Sequence, residues 1–78
     1  MEELRTELNE IIKVAGSMVG VHKRVAKKLG CSLVAVQKIR NGSLLTVDNA
    51  TNRDFIKRLI KSYRKELETY AKQIEVIL

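Results

Sequence analysis

The sequence contains no proline and no tryptophan, and it has only four glycines and three aromatic residues among its 78 residues. Sheets of short strands rely on β-branched and aromatic residues and on turns that are rich in glycine and proline. Leucine, isoleucine, valine, alanine, lysine and glutamate dominate instead, a mixture that suits helices better than such sheets. The composition therefore predicts an all-α protein, and the length leaves room for one domain, residues 1–78.

Cysteine and histidine occur once each, as Cys31 and His22. A lone cysteine forms no intramolecular disulfide and has no companions for a zinc cage. The carboxylates are dispersed along helical faces, so the sequence offers no nucleophile with a base and no metal cluster. It also lacks the glycine-rich signature of a coenzyme pocket. We therefore expect no enzyme activity, no metal, no cofactor and no small-molecule ligand.

Long apolar runs are missing as well. No segment approaches the roughly 20 apolar residues that cross a bilayer. The first residues, Met-Glu-Glu-Leu-Arg, are acidic and amphipathic, and no apolar stretch of a signal peptide follows them. We expect a cytoplasmic protein without membrane association.

Acidic residues are absent from a central block, residues 11–47. Seven of the 15 Lys and Arg residues lie in this block: Lys13, Lys23, Arg24, Lys27, Lys28, Lys38 and Arg40. The rest of the chain has eight cations against nine Asp and Glu, so the whole charge excess is central. A concentrated positive patch suits a polyanionic partner, because it releases counterions when it docks on phosphates. An ordinary solvated helix surface is the alternative interpretation.

Local signals predict where the first helices begin and end. Apolar residues at helical spacing indicate a first helix that ends near Gly16. Ser17 is a candidate N-cap for a second, short helix over residues 21–29, which Gly30 ends. Ser32 is a natural N-cap for a third helix over residues 33–40.

The region after the third helix is predicted from its turn residues. Asn41 and Gly42 indicate a left-handed C-cap. Residues 42–51 resemble a loop, in which Leu44 and Leu45 are candidates for covering the core. The last helix is predicted from about residue 52 to residue 78.

A heptad seam runs along this last helix, formed by Ile56, Ile60, Tyr63, Leu67, Tyr70, Ile74 and Ile77. An uninterrupted helix over residues 52–78 spans about 40 Å, whereas a compact chain of this length is about 30 Å across. Part of the helix must overhang, so we expect a homodimer formed through Tyr63, Leu67, Tyr70, Ile74 and Ile77. The alternative is that the first helix alone covers the seam.

Residues 22–41, HKRVAKKLGCSLVAVQKIRN, resemble the helix-turn-helix of DNA-binding proteins. They resemble most closely the lambda-repressor and Cro-like (XRE-type) regulators of bacteria and phages. Ala26 is small where two helices cross, and Gly30 supplies the turn. The inward face consists of Val25, Leu29, Cys31, Val36 and Ile39. The resemblance implies a small four- to five-helix helix-turn-helix domain with a long C-terminal helix, although similar hairpins occur in proteins that never touch DNA.

By this resemblance, residues 33–40 form the recognition helix that enters the major groove. The implied base-reading residues are Ser32, Leu33, Val34, Gln37, Lys38 and Asn41. Gln37 is the best reader because its amide pairs with adenine N6 and N7, while Lys38 reaches guanine or a phosphate. Leu33 and Val34 depart from the more polar pattern of the family, so they meet thymine methyl groups or pack on a neighbouring domain.

The resemblance also implies that the second helix lies across the DNA backbone with its N-terminus towards a phosphate. The residues expected to contact phosphates are His22, Lys23, Arg24, Lys27, Lys28 and Arg40. At the position of His22 a glutamine is more typical of the family, and an exposed, uncommitted histidine is the alternative.

These expectations combine into one functional hypothesis, a homodimeric transcriptional regulator that binds double-stranded DNA. The simplest mechanism is repression by occupying a two-fold symmetric operator in the nucleoid. The competing hypothesis is a protein-interaction module, such as an antitoxin, an inhibitor or a phage adaptor, which works through the exposed part of its last helix.

Overall fold

The computed structural model describes the backbone of residues 1–77 and the side chains of residues 1–74. Residues 1–77 form four helices, and no strand occurs among them. These helices are α1 (Glu2–Ala15), α2 (Val21–Leu29), α3 (Leu33–Arg40) and α4 (Ala50–Ile77). The all-α prediction is confirmed.

The turn between α2 and α3 follows from its local sequence. Gly30 adopts a left-handed conformation (φ 69°), which a residue with a Cβ atom resists, and its N–H reaches the carbonyl oxygens of Ala26 and Lys27. Ser32 then caps α3, since its Oγ accepts a hydrogen bond from the Ala35 N–H at 3.0 Å. Both predictions at this turn are confirmed.

The prediction that Ser17 caps α2 is wrong. The residue at the N-cap is Gly20, which is left-handed (φ 72°) and gives α2 no side-chain cap. The Ser17 hydroxyl instead donates back to the Val14 carbonyl oxygen at 3.4 Å. A positive φ at the start of α2 favours glycine over serine.

At the end of α3, Gly42 is left-handed (φ 83°), whereas Asn41 has a φ of −88°. The Asn41 Oδ1 atom accepts a hydrogen bond from the Ser43 N–H at 3.0 Å and tightens the turn. α4 begins at Ala50, slightly earlier than the sequence predicted, and Asn49 Oδ1 accepts from the Asn52 N–H at 2.8 Å in its first turn.

The core is built from the apolar stripe of each helix. α1 contributes Leu8, Ile12 and Ala15, and α2 contributes Val21, Val25 and Ala26. α3 contributes Val36 and Ile39, and α4 contributes Ile56, Leu59, Ile60 and Tyr63. Leu29 and Cys31 are partly buried against this cluster. The predicted inward face of residues 22–41 therefore does point towards the core.

Arg5 of α1 forms hydrogen bonds with the backbone at the end of α3 and in the segment that follows it. Its guanidinium donates to the carbonyl oxygens of Ile39 at 3.1 Å, Leu44 at 2.9 Å and Leu45 at 2.7 Å. Leu45 packs against the core, as predicted, while Leu44 is 38% exposed and is not part of it. The end of α3 is thereby fixed to α1.

α1 and α4 run side by side in the same direction, since Glu7 accepts from Arg64 Nη2 at 3.1 Å and Val14 lies near Ile74. The 14 residues of α1 cover about 21 Å, and the 28 residues of α4 span about 42 Å. The long axis of the molecule is accordingly 44 Å, against 23 and 18 Å for the others. The predicted overhang of the last helix is confirmed.

Candidate nucleic-acid interface

The outward face of α3 carries the residues expected to read bases. Because Val36 and Ile39 point into the core, the helical repeat turns Val34, Gln37 and Lys38 away from it. All six predicted base-reading residues are exposed: Ser32, Leu33, Val34, Gln37, Lys38 and Asn41. Ser32 is also the cap of α3, and Asn41 uses Oδ1 in the following turn. Among the described residues, the amide of Gln37 and the ammonium of Lys38 have no hydrogen-bond or ion-pair partner.

The four cations of α2 divide into two pairs. Lys23 and Lys27 are exposed and make no ion pair with any described side chain. Arg24 and Lys28 face α4, where they meet the carboxylate of Glu66. Lys23 and Lys27 are thus the more available for a phosphate.

Glu66 is the most buried charged residue among the described residues, only 7% exposed. Arg24 Nε lies 2.5 Å from Oε1, and Lys28 Nζ lies 4.0 Å from Oε2. The Nη1 atom of Arg24 also donates to the Val19 carbonyl oxygen at 2.7 Å. A buried carboxylate needs such partners because its desolvation is costly. Arg24 therefore supports the packing of α2 on α4 as well as contributing positive charge.

His22 connects three helices. Its Nδ1 atom lies 2.7 Å from the hydroxyl of Tyr63 in α4, and its Nε2 atom lies 3.4 Å from Nη1 of Arg40 in α3. The His22 and Tyr63 rings meet edge to face, with centroids 5.6 Å apart. His22 is thus committed on two sides, unlike the free histidine of the alternative interpretation.

This network shifts the pKa values of both rings. Burial, and after it the charge of Arg40, lowers the pKa of His22 from its usual value. Burial raises the pKa of Tyr63 to about 12, so its hydroxyl keeps its proton at neutral pH.

An open groove, here called the cationic groove, lies between the end of α1, the start of α2 and the end of α3. Its polar lining includes Lys13, His22, Gln37, Arg40 and Asn41. No Asp or Glu is among the described residues that line it. Residues predicted to read bases and residues predicted to contact phosphates therefore meet in one groove.

Comparisons with protein-family models, with curated proteins and with solved structures found no match to this chain. The resemblance of residues 22–41 accordingly rests on the motif and not on a relative. Among the described residues, no three His, Cys, Asp or Glu side chains form a potential metal-binding group. None of the helices in residues 1–77 combines the length and the apolar character that crossing a membrane requires.

A second, apolar groove lies where α4 passes the end of α1. Its lining side chains include Val14, Met18, Val19, Leu67, Tyr70 and Ile74. Val19 is 93% exposed and Tyr70 is 49% exposed, so this groove leaves large apolar surface in water. Leu67 is partly buried by its own chain.

The prediction that Tyr63 lies in a dimer interface is wrong. Tyr63 is fully buried within the chain and contacts His22, because the first half of the seam packs on the core. Tyr70 and Ile74 do lie at the surface. The side chain of Ile77 falls outside the described residues.

The sequence did not predict which distant residues contact the side chains of this candidate interface. It did not find Tyr63 behind His22, Glu66 behind Arg24, or Arg5 behind the end of α3. One signal was available for Glu66, which follows Tyr63 by three residues and so interrupts the inward face of α4 with a charge. A carboxylate at such a position requires a cation from a neighbouring helix.

Proposed function

We propose that this protein is a sequence-specific double-stranded DNA-binding transcriptional regulator. It acts as a homodimer on a two-fold symmetric operator and represses by occluding that site. The observation that carries the proposal is the outward face of α3, where Gln37 lines the cationic groove and the adjacent Lys38 is exposed. A helix with free hydrogen-bonding side chains, flanked by cations, has the requirements of a major-groove reader.

The charge distribution supports a polyanion as the partner. Lys23 and Lys27 on α2 are exposed, Lys13 of α1 lines the cationic groove together with Gln37 and Arg40 of α3, and no acidic residue occurs in residues 11–47. Phosphate contacts of this kind supply affinity and orientation, while the exposed side chains of α3 supply sequence preference.

The apolar groove supports the homodimer. α1 has half as many residues as α4, and Tyr70 and Ile74 in the last turns of α4 keep apolar surface exposed in the groove beside the end of α1. A second copy of the chain that packs here shields this surface and brings two α3 helices onto one side of the DNA. Two recognition helices read adjacent turns of DNA when they lie about 34 Å apart.

Selection from a pool of randomised duplexes tests the proposal. The expected result is enrichment of a two-fold symmetric sequence, with half-sites about 10 base pairs apart or a multiple of that spacing. Gln37→Ala should alter the enriched bases. Recovery of no common sequence by the intact protein contradicts sequence-specific binding.

A protein-interaction module is the second candidate, and the exposure of Val19, Tyr70 and Ile74 favours it. In that case the apolar groove receives a helix of another protein, and the cations of α2 serve solubility. The two candidates differ in the DNA experiment, since only the regulator binds a duplex in a salt-dependent manner.

A further inference from the structure

We propose that DNA binding by this chain is coupled to the uptake of a proton by His22, with Tyr63 as the positioning residue that directs this proton to Nε2. The inference rests on the proposed function and adds a mechanism to it.

The partners of His22 define its tautomer. A guanidinium only donates hydrogen bonds, so the contact between Arg40 Nη1 and Nε2 requires a lone pair on Nε2. The proton of the neutral ring therefore resides on Nδ1 and is donated to the Tyr63 oxygen 2.7 Å away. In the neutral ring, the unprotonated Nε2 therefore faces Arg40 and the cationic groove.

Among the described residues, the charged side chains that share the groove with this ring are cations, which oppose a second proton. α3 presents Arg40, α1 presents Lys13, and α4 presents the neutral hydroxyl of Tyr63. On α2 itself, Arg24 is directed towards Glu66. The first turn of α2 adds the positive end of its helix dipole, and no described carboxylate lines the groove to offset these charges.

A DNA phosphate in the cationic groove reverses this balance. The phosphate attracts Arg40 and favours the charged imidazole over the neutral one. Nε2 then takes a proton from solvent and donates it towards the phosphate oxygen, while Nδ1–H keeps its hydrogen bond to Tyr63. Since Tyr63 holds the Nδ1 edge of the ring inwards, the nitrogen that gains the proton is the one that faces the ligand.

The consequence is a pH-dependent affinity. Binding that takes up protons strengthens as the pH falls, by up to about tenfold per pH unit for each proton. The chain has one histidine, so a single side chain accounts for a change between pH 6 and pH 7.5.

The test measures binding of a fluorescent 20-base-pair duplex of random sequence at constant ionic strength, from pH 5.5 to pH 8. Wild-type affinity should fall as the pH rises. His22→Gln keeps polar atoms but does not titrate, so its affinity should be flat. Tyr63→Phe should reduce the slope, while Lys23→Ala should weaken binding equally at each pH and keep the slope. A His22→Gln variant with the wild-type slope, or a flat wild type that binds the duplex, overturns proton uptake.

Proton NMR of the single imidazole provides an independent readout. In wild type, the pKa of His22 should rise by at least about one pH unit when the duplex is saturating, and in Tyr63→Phe it should rise less. An identical titration with and without DNA overturns the proposal, and an identical rise in Tyr63→Phe overturns the role of Tyr63. Absence of duplex binding at every pH is a different result, since it contradicts the proposed function itself.

Discussion

The guanidinium of Arg24 lies against the carboxylate of Glu66, with Nε 2.5 Å from Oε1, and this pair joins the basic helix α2 to the long helix α4. The pair links two properties of the protein. It provides partners for a buried carboxylate in α4, and it engages Arg24 and Lys28, so that these two cations contribute less free positive charge to the surface of α2.

Removing the charge of Glu66 should strengthen DNA binding while weakening the fold. In Glu66→Gln, Arg24 and Lys28 become available for phosphates, so the slope of log K against log salt should steepen by about one to two per protomer. Stability should fall by about 1 kcal/mol, because a charge-assisted hydrogen bond becomes a neutral one and Arg24 is half exposed. Salt titrations and chemical denaturation measure both effects.

Glu68→Gln is the matched control, since it makes the same change in net charge at an exposed position of α4. It should leave stability within about 0.5 kcal/mol of wild type and change the salt slope little. Equal effects of the two substitutions would show that net charge, and not the release of Arg24, governs binding.

Gln37 and Lys23 should separate base reading from phosphate contact. Gln37→Ala should lose about 1 to 3 kcal/mol at a selected operator but little on random DNA. Lys23→Ala should weaken both DNAs alike, because a phosphate contact carries no sequence information. Competition binding with the two duplexes measures the difference, and the same loss on both DNAs for both variants contradicts reading by α3.

The apolar groove should form the dimer. A variant that combines Tyr70→Gln and Ile74→Gln keeps good helix-forming residues while it removes exposed apolar surface, so it should remain helical and become monomeric. Its operator affinity should fall sharply, since each half-site then binds alone. Sedimentation equilibrium and circular dichroism measure these outcomes.

Val47→Gln is the control for this experiment, because Val47 is an exposed apolar residue in the loop before α4 and outside the groove. It should dimerise as wild type does. If wild type is monomeric at tens of micromolar, the groove does not bind a second copy.

Stability should depend on pH through His22. Burial and the neighbouring Arg40 lower the pKa of His22, so the folded protein binds fewer protons than the unfolded chain near this value. The free energy of unfolding that His22 contributes is fully present above the pKa of about 6.5 that it has in the unfolded chain. This stability is lost as the pH falls from there through the lower pKa of the folded protein. Thermal melts of wild type and His22→Gln from pH 5 to pH 8 should converge or cross towards low pH, whereas parallel curves would contradict the shift.

The sequence was most informative where structure depends on neighbouring residues. The turn between α2 and α3 follows from Gly30 and Ser32, since a left-handed C-cap and a serine N-cap are local signals. The prediction that Ser17 caps α2 was wrong because, although serine caps many helices, the start of α2 requires a positive φ, which Gly20 adopts.

Local sequence signals do not predict the contacts between helices that lie behind the candidate site. Tyr63 and His22 are 41 residues apart, and Arg24 and Glu66 are 42 apart, so their pairing depends on how α4 packs on α2. A heptad seam also does not reveal whether its residues face their own chain or another one. Tyr63 faces its own core, while Tyr70 in the same seam faces solvent. DNA binding and dimerisation stay predictions.

The salt dependence of binding to duplex DNA tests the central claim most directly. If a dimer neutralises roughly six phosphates, log K against log salt should fall with a slope near −5. The seven cations of residues 11–47 in each chain are sufficient for this, even with Arg24 paired to Glu66. A slope indistinguishable from zero, or no binding at low salt, would contradict the account of this protein as a DNA-binding regulator.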